Sequence, residues 1–174
     1  VVEAKGIKEL LQAFENISYN NATLLIIGSA NFGSKTNTTY EKEVSTLIKQ
    51  SNKSIVFTGF IHQTELYKYY NIADIAVMPS MFEDPAPLVC IETQATGTPL
   101  IANDVGGVKE YINKNGVVLL KKDKKMIENL TIEMDRLLSN PELCKKMGEA
   151  NQQHALRYNT EQYFQDFSCI MDNL

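Results

Sequence analysis

The 174-residue chain has no tryptophan, only three cysteines and only two histidines. Cys90, Cys144 and Cys169 are far apart and form no C-x-x-C pair, which fits neither a disulfide framework nor a thiolate zinc site. Reduced thiols of a cytosolic protein are expected. His62 and His154 each lack a second histidine at helical metal-site spacing, so no resident transition metal is expected. Cationic excess is missing too: 17 Lys and Arg face 21 Asp and Glu, leaving net charge −4, and no broad basic face is available for nucleic acid. No apolar run approaches the roughly 18 residues that cross a bilayer, and the start Val1-Val2-Glu3 is no signal peptide.

What is present is a hydrophobic content of 44%, enough for one globular domain over residues 1–174. A chain of this length buries roughly 70% of the surface its unfolded form exposes. Ile7, Leu10, Leu11, Phe14 and Ile17 recur at helical steps and predict a helix over 7–17. The apolar run 23–27, closed by Gly28, predicts a strand covered on both faces. A polar loop follows over 29–39, long for its class and read as a flap. Helix and strand then alternate: helix 40–48, strand 55–57, helix 65–71, strand 75–78, helix 88–96, strand 100–102, a short segment 106–112 and strand 117–120. Three helices over about 123–139, 141–157 and 160–172 finish the chain, with Asn140-Pro141 and Asn159-Thr160 as breaks. This order predicts an α/β, doubly wound parallel sheet in a three-layer sandwich, with ligands at the C-terminal ends of the strands.

The most informative stretch is Phe82-Glu83-Asp84-Pro85-Ala86-Pro87-Leu88-Val89-Cys90-Ile91-Glu92, which leaves a strand and enters a helix. Pro87 suits a first helical turn, and the N–H groups of Leu88 and Val89 would point out of the helix start, where anions bind. Asp84 and Glu92, with seven residues between them, are acceptor-only when ionised, so each suits a pair of sugar or ribose hydroxyls. The same spacing also fits a turn residue and a solvated helix residue. Four apolar residues, Leu88 to Ile91, precede Glu92 and predict a mostly buried helix in which its carboxylate needs a partner. Phe60 and Ile61 follow a strand end, where they suit either a nucleobase or the core, and Gly106-Gly107 suits either a ligand approach or a tight turn. Tyr67, Tyr69 and Tyr70 read as packing, and His62 as a surface residue. Lys121, Lys122, Lys124 and Lys125 read as a solvated helix start, with contact to anionic lipid as the alternative.

The run from Asp84 through Glu92 to Gly97-Thr98-Pro99 resembles the acidic-x7-acidic motif of the family-four (group 1) retaining glycosyltransferases. Co-linear matches surround it: Val2-Glu3-Ala4-Lys5-Gly6 is similar to the donor loop, Thr58-Gly59-Phe60 to the nucleotide-side turn, and Ala73-Asp74 through Pro79-Ser80 to the strand before the motif. Val105-Gly106-Gly107-Val108-Lys109-Glu110 and Asn115-Gly116 continue the order. The resemblance implies the GT-B fold, two Rossmann-like domains across a cleft, of which this chain matches the C-terminal, donor-binding one without its acceptor domain. It further implies that Glu92 binds the ribose, that Asp84 holds hydroxyls of the transferred sugar, and that the Ala86-Pro87-Leu88-Val89 segment receives the diphosphate on its amides. Lys5 would neutralise the departing diphosphate, Phe60 and Ile61 would contact the donor, and Gly106 and Gly107 would line the site. No cofactor is implied; a UDP-sugar would be the donor.

Three departures from the family pattern stand out. The first acidic position holds Asp84 with Glu83 beside it, where Glu is usual, and Ala86-Pro87 replaces Phe-Gly. The family's arginine five residues before the lysine would fall ahead of Val1, as would the strand before the donor loop, so the sheet is expected one strand short. The function implied is retaining transfer from a nucleotide-diphosphate sugar to a cell-surface polysaccharide or glycolipid, in the cytoplasm or at the inner face of the membrane with peripheral association. A sugar-nucleotide epimerase and a non-catalytic nucleotide- or partner-binding domain are the alternatives.

Overall fold

A computed structural model describes residues 2–29 and 38–172. The flap read over 29–39 therefore lies outside the described residues except at its ends. Chain entry is a 3-10 turn, Glu3–Lys5, which Gly6 closes at φ +69° before α1 (Ile7–Glu15) begins. A β-carbon at Gly6 would sit 2.0 Å from the Pro79 carbonyl oxygen, so both the positive φ and the close approach require glycine. Leu10, Leu11, Ala13 and Phe14 make the buried stripe of α1, and Ile17 is buried just beyond its end.

Strand β1 (Thr23–Ile27) matches its predicted limits. Helix α2 (Thr39–Gln50) starts earlier than its apolar spacing suggests because Thr38 and Glu41 form a capping box: the Thr38 hydroxyl accepts from the Glu41 N–H at 3.2 Å and the Glu41 carboxylate from the Thr38 N–H at 2.9 Å. Strand β2 (Ser54–Gly59), α3 (Gln63–Ile72), β3 (Ala76–Met78), α4 (Leu88–Ala95), β4 (Leu100–Asn103), the single-turn α5 (Val108–Tyr111) and β5 (Val117–Leu120) follow. The C-terminal helices are α6 (Met126–Leu138), α7 (Pro141–Ala155) and α8 (Thr160–Asp172). Helix α6 begins later than expected because the Asp123 side chain accepts from the Lys125 N–H at 2.8 Å and holds that stretch in a turn.

All strand pairing is parallel, and the chain is a doubly wound Rossmann-like α/β fold. The backbone ladder comes in two pieces, β1–β2 and β3–β4–β5, so β1, β2, β3 and β5 each leave one edge unpaired among the described residues. The second piece shows why its strands read as continuous apolar runs. Leu100 and Ala102 pack with Cys90 of α4 and Val108 of α5, whereas Ile101 between them packs with α1, Leu130 and Leu137 of α6 and Met147 of α7. Alternate residues thus enter opposite cores, which is the three-layer arrangement. A third cluster joins Leu11, Ile26 and Val44 between α1, β1 and α2. Helix α8 buries none of its side chains and exposes Tyr163, Phe164, Phe167, Ile170 and Met171.

Candidate functional site

Two chain segments meet at the C-terminal end of β3. The Met81 N–H donates to the Ala4 carbonyl at 2.8 Å, and together with the Gly6–Pro79 contact this fastens the Lys5 turn to the loop that carries the acidic residues. Lys5 Nζ consequently lies 3.6 Å from Asp84 Oδ2, both side chains open to solvent in part. Asp84 Oδ1 accepts from the Ala86 N–H at 3.2 Å, so the carboxylate is oriented by its own loop.

The neighbouring carboxylate is turned elsewhere. Glu83 accepts from the Gly106 N–H and from Lys122 Nζ at 3.1 Å, and these donors, the amide first, hold its carboxyl below the usual range. Adjacent in sequence, Glu83 braces the loop and Asp84 faces the cation. The glycine pair lies under the same loop. The Gly107 N–H donates to the Asp84 carbonyl at 2.9 Å, and β-carbons at Gly106 and Gly107 would come within 2.3 Å of the Asp84 oxygen and 2.2 Å of the Pro85 oxygen. Gly106 also has φ +52°. Gly106-Gly107 forms a tight turn with a left-handed φ at Gly106, the second of its two readings, and what packs against it is the acidic loop itself, with both amides already engaged.

Helix α4 is not mostly buried, contrary to the reading from Leu88 to Ile91. Leu88 is 60% exposed and Val89 38%, because the face that enters the core is Cys90, Thr93 and Gln94. Pro87 is the buried residue at the cap position and supplies no side-chain acceptor, so α4 starts uncapped. Among the described residues nothing accepts from the Leu88 or Val89 N–H. The outcome is a helix start with open donors, just after the loop whose Asp84 pairs with Lys5. Cys90 is not a nucleophile candidate: burial, followed by the Asp84 charge, pushes its thiol up to about 12.

Glu92, on the second turn of α4, is half-buried and does have a partner. The Tyr70 hydroxyl of α3 donates to its Oε2 at 3.1 Å, an interaction absent from the packing role that the sequence suggests for Tyr70. No spacing rule reaches across two helices to find it; a tyrosine in α3 whose ring faces α4 is a matter of packing alone. The Tyr70 phenol is pushed far up, first by burial and then by the Glu92 charge, and therefore stays a donor. Phe60 is 44% exposed and Ile61 half-buried, just past the end of β2, while His62 caps α3 by accepting from the Thr64 N–H at 3.4 Å through Nδ1. No cluster of three or more His, Cys, Asp or Glu able to hold a metal occurs among the described residues.

A family model, "Glycosyl transferases group 1", matches residues 1–154. The chain belongs to this family. An uncharacterized glycosyltransferase of Methanocaldococcus jannaschii is 33% identical over 139 residues, covering 78% of this chain and 33% of that protein. The lipopolysaccharide 1,2-N-acetylglucosaminetransferase of Salmonella typhimurium is 25% identical over 174 residues, covering 97% of this chain and 45% of that one. The chain thus spans less than half the length of these glycosyltransferases. Among solved structures, Anabaena HepE in complex with UDP and glucose superposes with a TM-score of 0.85 at 19% identity, over 100% of this chain and 46% of that one, which shows the shared GT-B fold. Within this family fold, the lysine turn and the acidic loop that leads into α4 lie past the C-terminal end of β3, the end of a parallel sheet at which α/β folds bind ligands.

Proposed function

We propose that the chain is the donor-binding, C-terminal half of a GT-B glycosyltransferase that uses a nucleotide-diphosphate sugar, a UDP-sugar first, and transfers the sugar with retention to a polysaccharide or glycolipid acceptor. The observation that carries this reading is the convergence of Lys5, Asp84 and the open amides of α4 at one strand end, with Glu92 one helical turn deeper.

In this reading the diphosphate lies on the Leu88 and Val89 amides, where the helix field and unpaired donors favour an anion. Negative charge grows on it as the glycosidic bond breaks, and Lys5 stabilises that charge more in the transition state than in the ground state. Among the described residues the Lys5 ammonium pairs with Asp84 at 3.6 Å, a partly solvated pair that a doubly charged diphosphate outcompetes. Asp84 then turns to hydroxyls of the transferred sugar, Glu92 takes the ribose diol, and Phe60 and Ile61 flank the base. Lys5 and the amides carry the charge without a metal. The leaving phosphate takes the acceptor proton, which accords with retention. The acceptor half belongs to the additional length of the relatives, and the Salmonella relative's lipopolysaccharide activity favours a cell-envelope acceptor. Exposed Lys121, Lys124 and Lys125 suit work at the cytoplasmic face of a membrane, although no described helix is long and apolar enough to cross one.

Calorimetric titration with UDP, GDP and their sugars tests the reading. Diphosphate-dependent binding that Glu92→Ala weakens by tenfold or more is expected. Binding by none of these nucleotides sinks it in favour of a non-catalytic domain, and turnover of a UDP-sugar to its epimer without acceptor would favour the epimerase.

A further inference from the structure

Glu92 takes the ribose diol in the reading above, but Tyr70, which touches it, has no part there. The phenol hydroxyl donates to Glu92 Oε2 at 3.1 Å, and Oε1 accepts nothing among the described residues. A carboxylate so held keeps both lone pairs of Oε1 and one of Oε2, the set needed to accept from two vicinal hydroxyls at once. Tyr70 is in turn held from behind: its carbonyl accepts from the Thr98 hydroxyl at 2.9 Å and from the Ala73 N–H at 3.2 Å, and Thr98 is buried. The chain Thr98–Tyr70–Glu92 therefore runs from the exit of α4 through α3 and back to the middle of α4.

We infer that Tyr70 is a positioning residue that presets the Glu92 carboxylate for a ribose diol, so that preference for ribonucleotides over nucleotides lacking the 2′ and 3′ hydroxyls depends on the phenol. The inference rests on the donor-site reading. A free glutamate must give up rotamer freedom when it clasps a diol; one already tied by a hydroxyl has given it up before the ligand arrives. Tyr70 touches no ligand in this arrangement and acts only through Glu92.

The test is a set of dissociation constants for UDP and 2′,3′-dideoxy-UDP with wild type, Tyr70→Phe, Glu92→Gln and the double variant, folding being checked by circular dichroism. Expected are a loss of UDP affinity of roughly tenfold in Tyr70→Phe, unchanged dideoxy-UDP affinity, and no further loss when Tyr70→Phe is added to Glu92→Gln. Tyr70→Met, smaller but flexible enough to fill part of the space and without the hydroxyl, carries the same expectation should the phenylalanine variant fold poorly. Equal weakening of both nucleotides, or UDP affinity equal to wild type, overturns the positioning role while leaving the donor site intact. Wild type that binds neither nucleotide overturns the donor site itself, and this inference with it.

Discussion

Single residues at the strand end divide roles that their neighbours in sequence do not share. Asp84 faces Lys5 while Glu83 faces Gly106 and Lys122, so neutralising each carboxylate has different consequences. Asp84→Asn releases the Lys5 ammonium from its internal partner: UDP binding by calorimetry is expected to hold or tighten, while sugar transfer by the full-length enzyme falls by a hundredfold or more. A parallel loss of both would refute the division. Gly106→Ala acts on the same loop through sterics, since its β-carbon would stand 2.3 Å from the Asp84 oxygen at a left-handed φ. A stability loss of about 1–3 kcal/mol is expected in urea titration, with a transfer defect larger than the stability loss explains.

At the scale of elements, α7 clamps the α4–β4 connection, and two features make the clamp measurable. A β-carbon at Gly148 would sit 2.2 Å from the Gly97 carbonyl oxygen. Alanine gains about 1 kcal/mol of helix propensity, whereas forcing the two elements apart costs about 2–3 kcal/mol, so Gly148→Ala is expected to lower the unfolding midpoint. The second feature is His154, whose Nδ1–H donates at 2.9 Å to Gln94 Oε1, an oxygen that also accepts from the Asn113 N–H at 2.9 Å. Burial, then the Arg157 charge, lowers the imidazole pKa from its ordinary 6.5. A base whose folded pKa lies below the unfolded one binds its proton more readily when unfolded. The stability it contributes is present above about pH 6.5 and is lost as pH falls through the depressed folded value. Urea midpoints measured from pH 8 down to 5 should decline in wild type and flatten over that interval in His154→Asn.

For the whole molecule, the three cores leave α8 out. Its exposed Tyr163, Phe164, Phe167, Ile170 and Met171 belong to none of the three, and Tyr163 stacks only on Phe167 of the same helix among the described residues. Truncation after Asn159 should therefore cost less than about 1 kcal/mol of unfolding free energy, read from denaturant titration; a loss of several kcal/mol would place α8 in the core instead. The same contrast explains how legible the chain was. Strands β1 and β5 and the start of α4 could be read because apolar runs, turn residues and a proline act over a few neighbouring positions. The burial of α4 was misjudged because Leu88 and Val89 point away from β4, which a run of apolar letters does not reveal.

Local periodicity and motif order thus determined the alternating α/β plan, the family and the candidate residues Lys5, Asp84 and Glu92, since each depends on interactions within one element or loop. Only the folded chain decided that Glu83 braces rather than faces the cation, that Gly106 and Gly107 support the acidic loop, and that Tyr70 holds Glu92. Those contacts join residues from separate elements, and their geometry is set by how helices and strands pack together, a quantity that no short window of sequence contains.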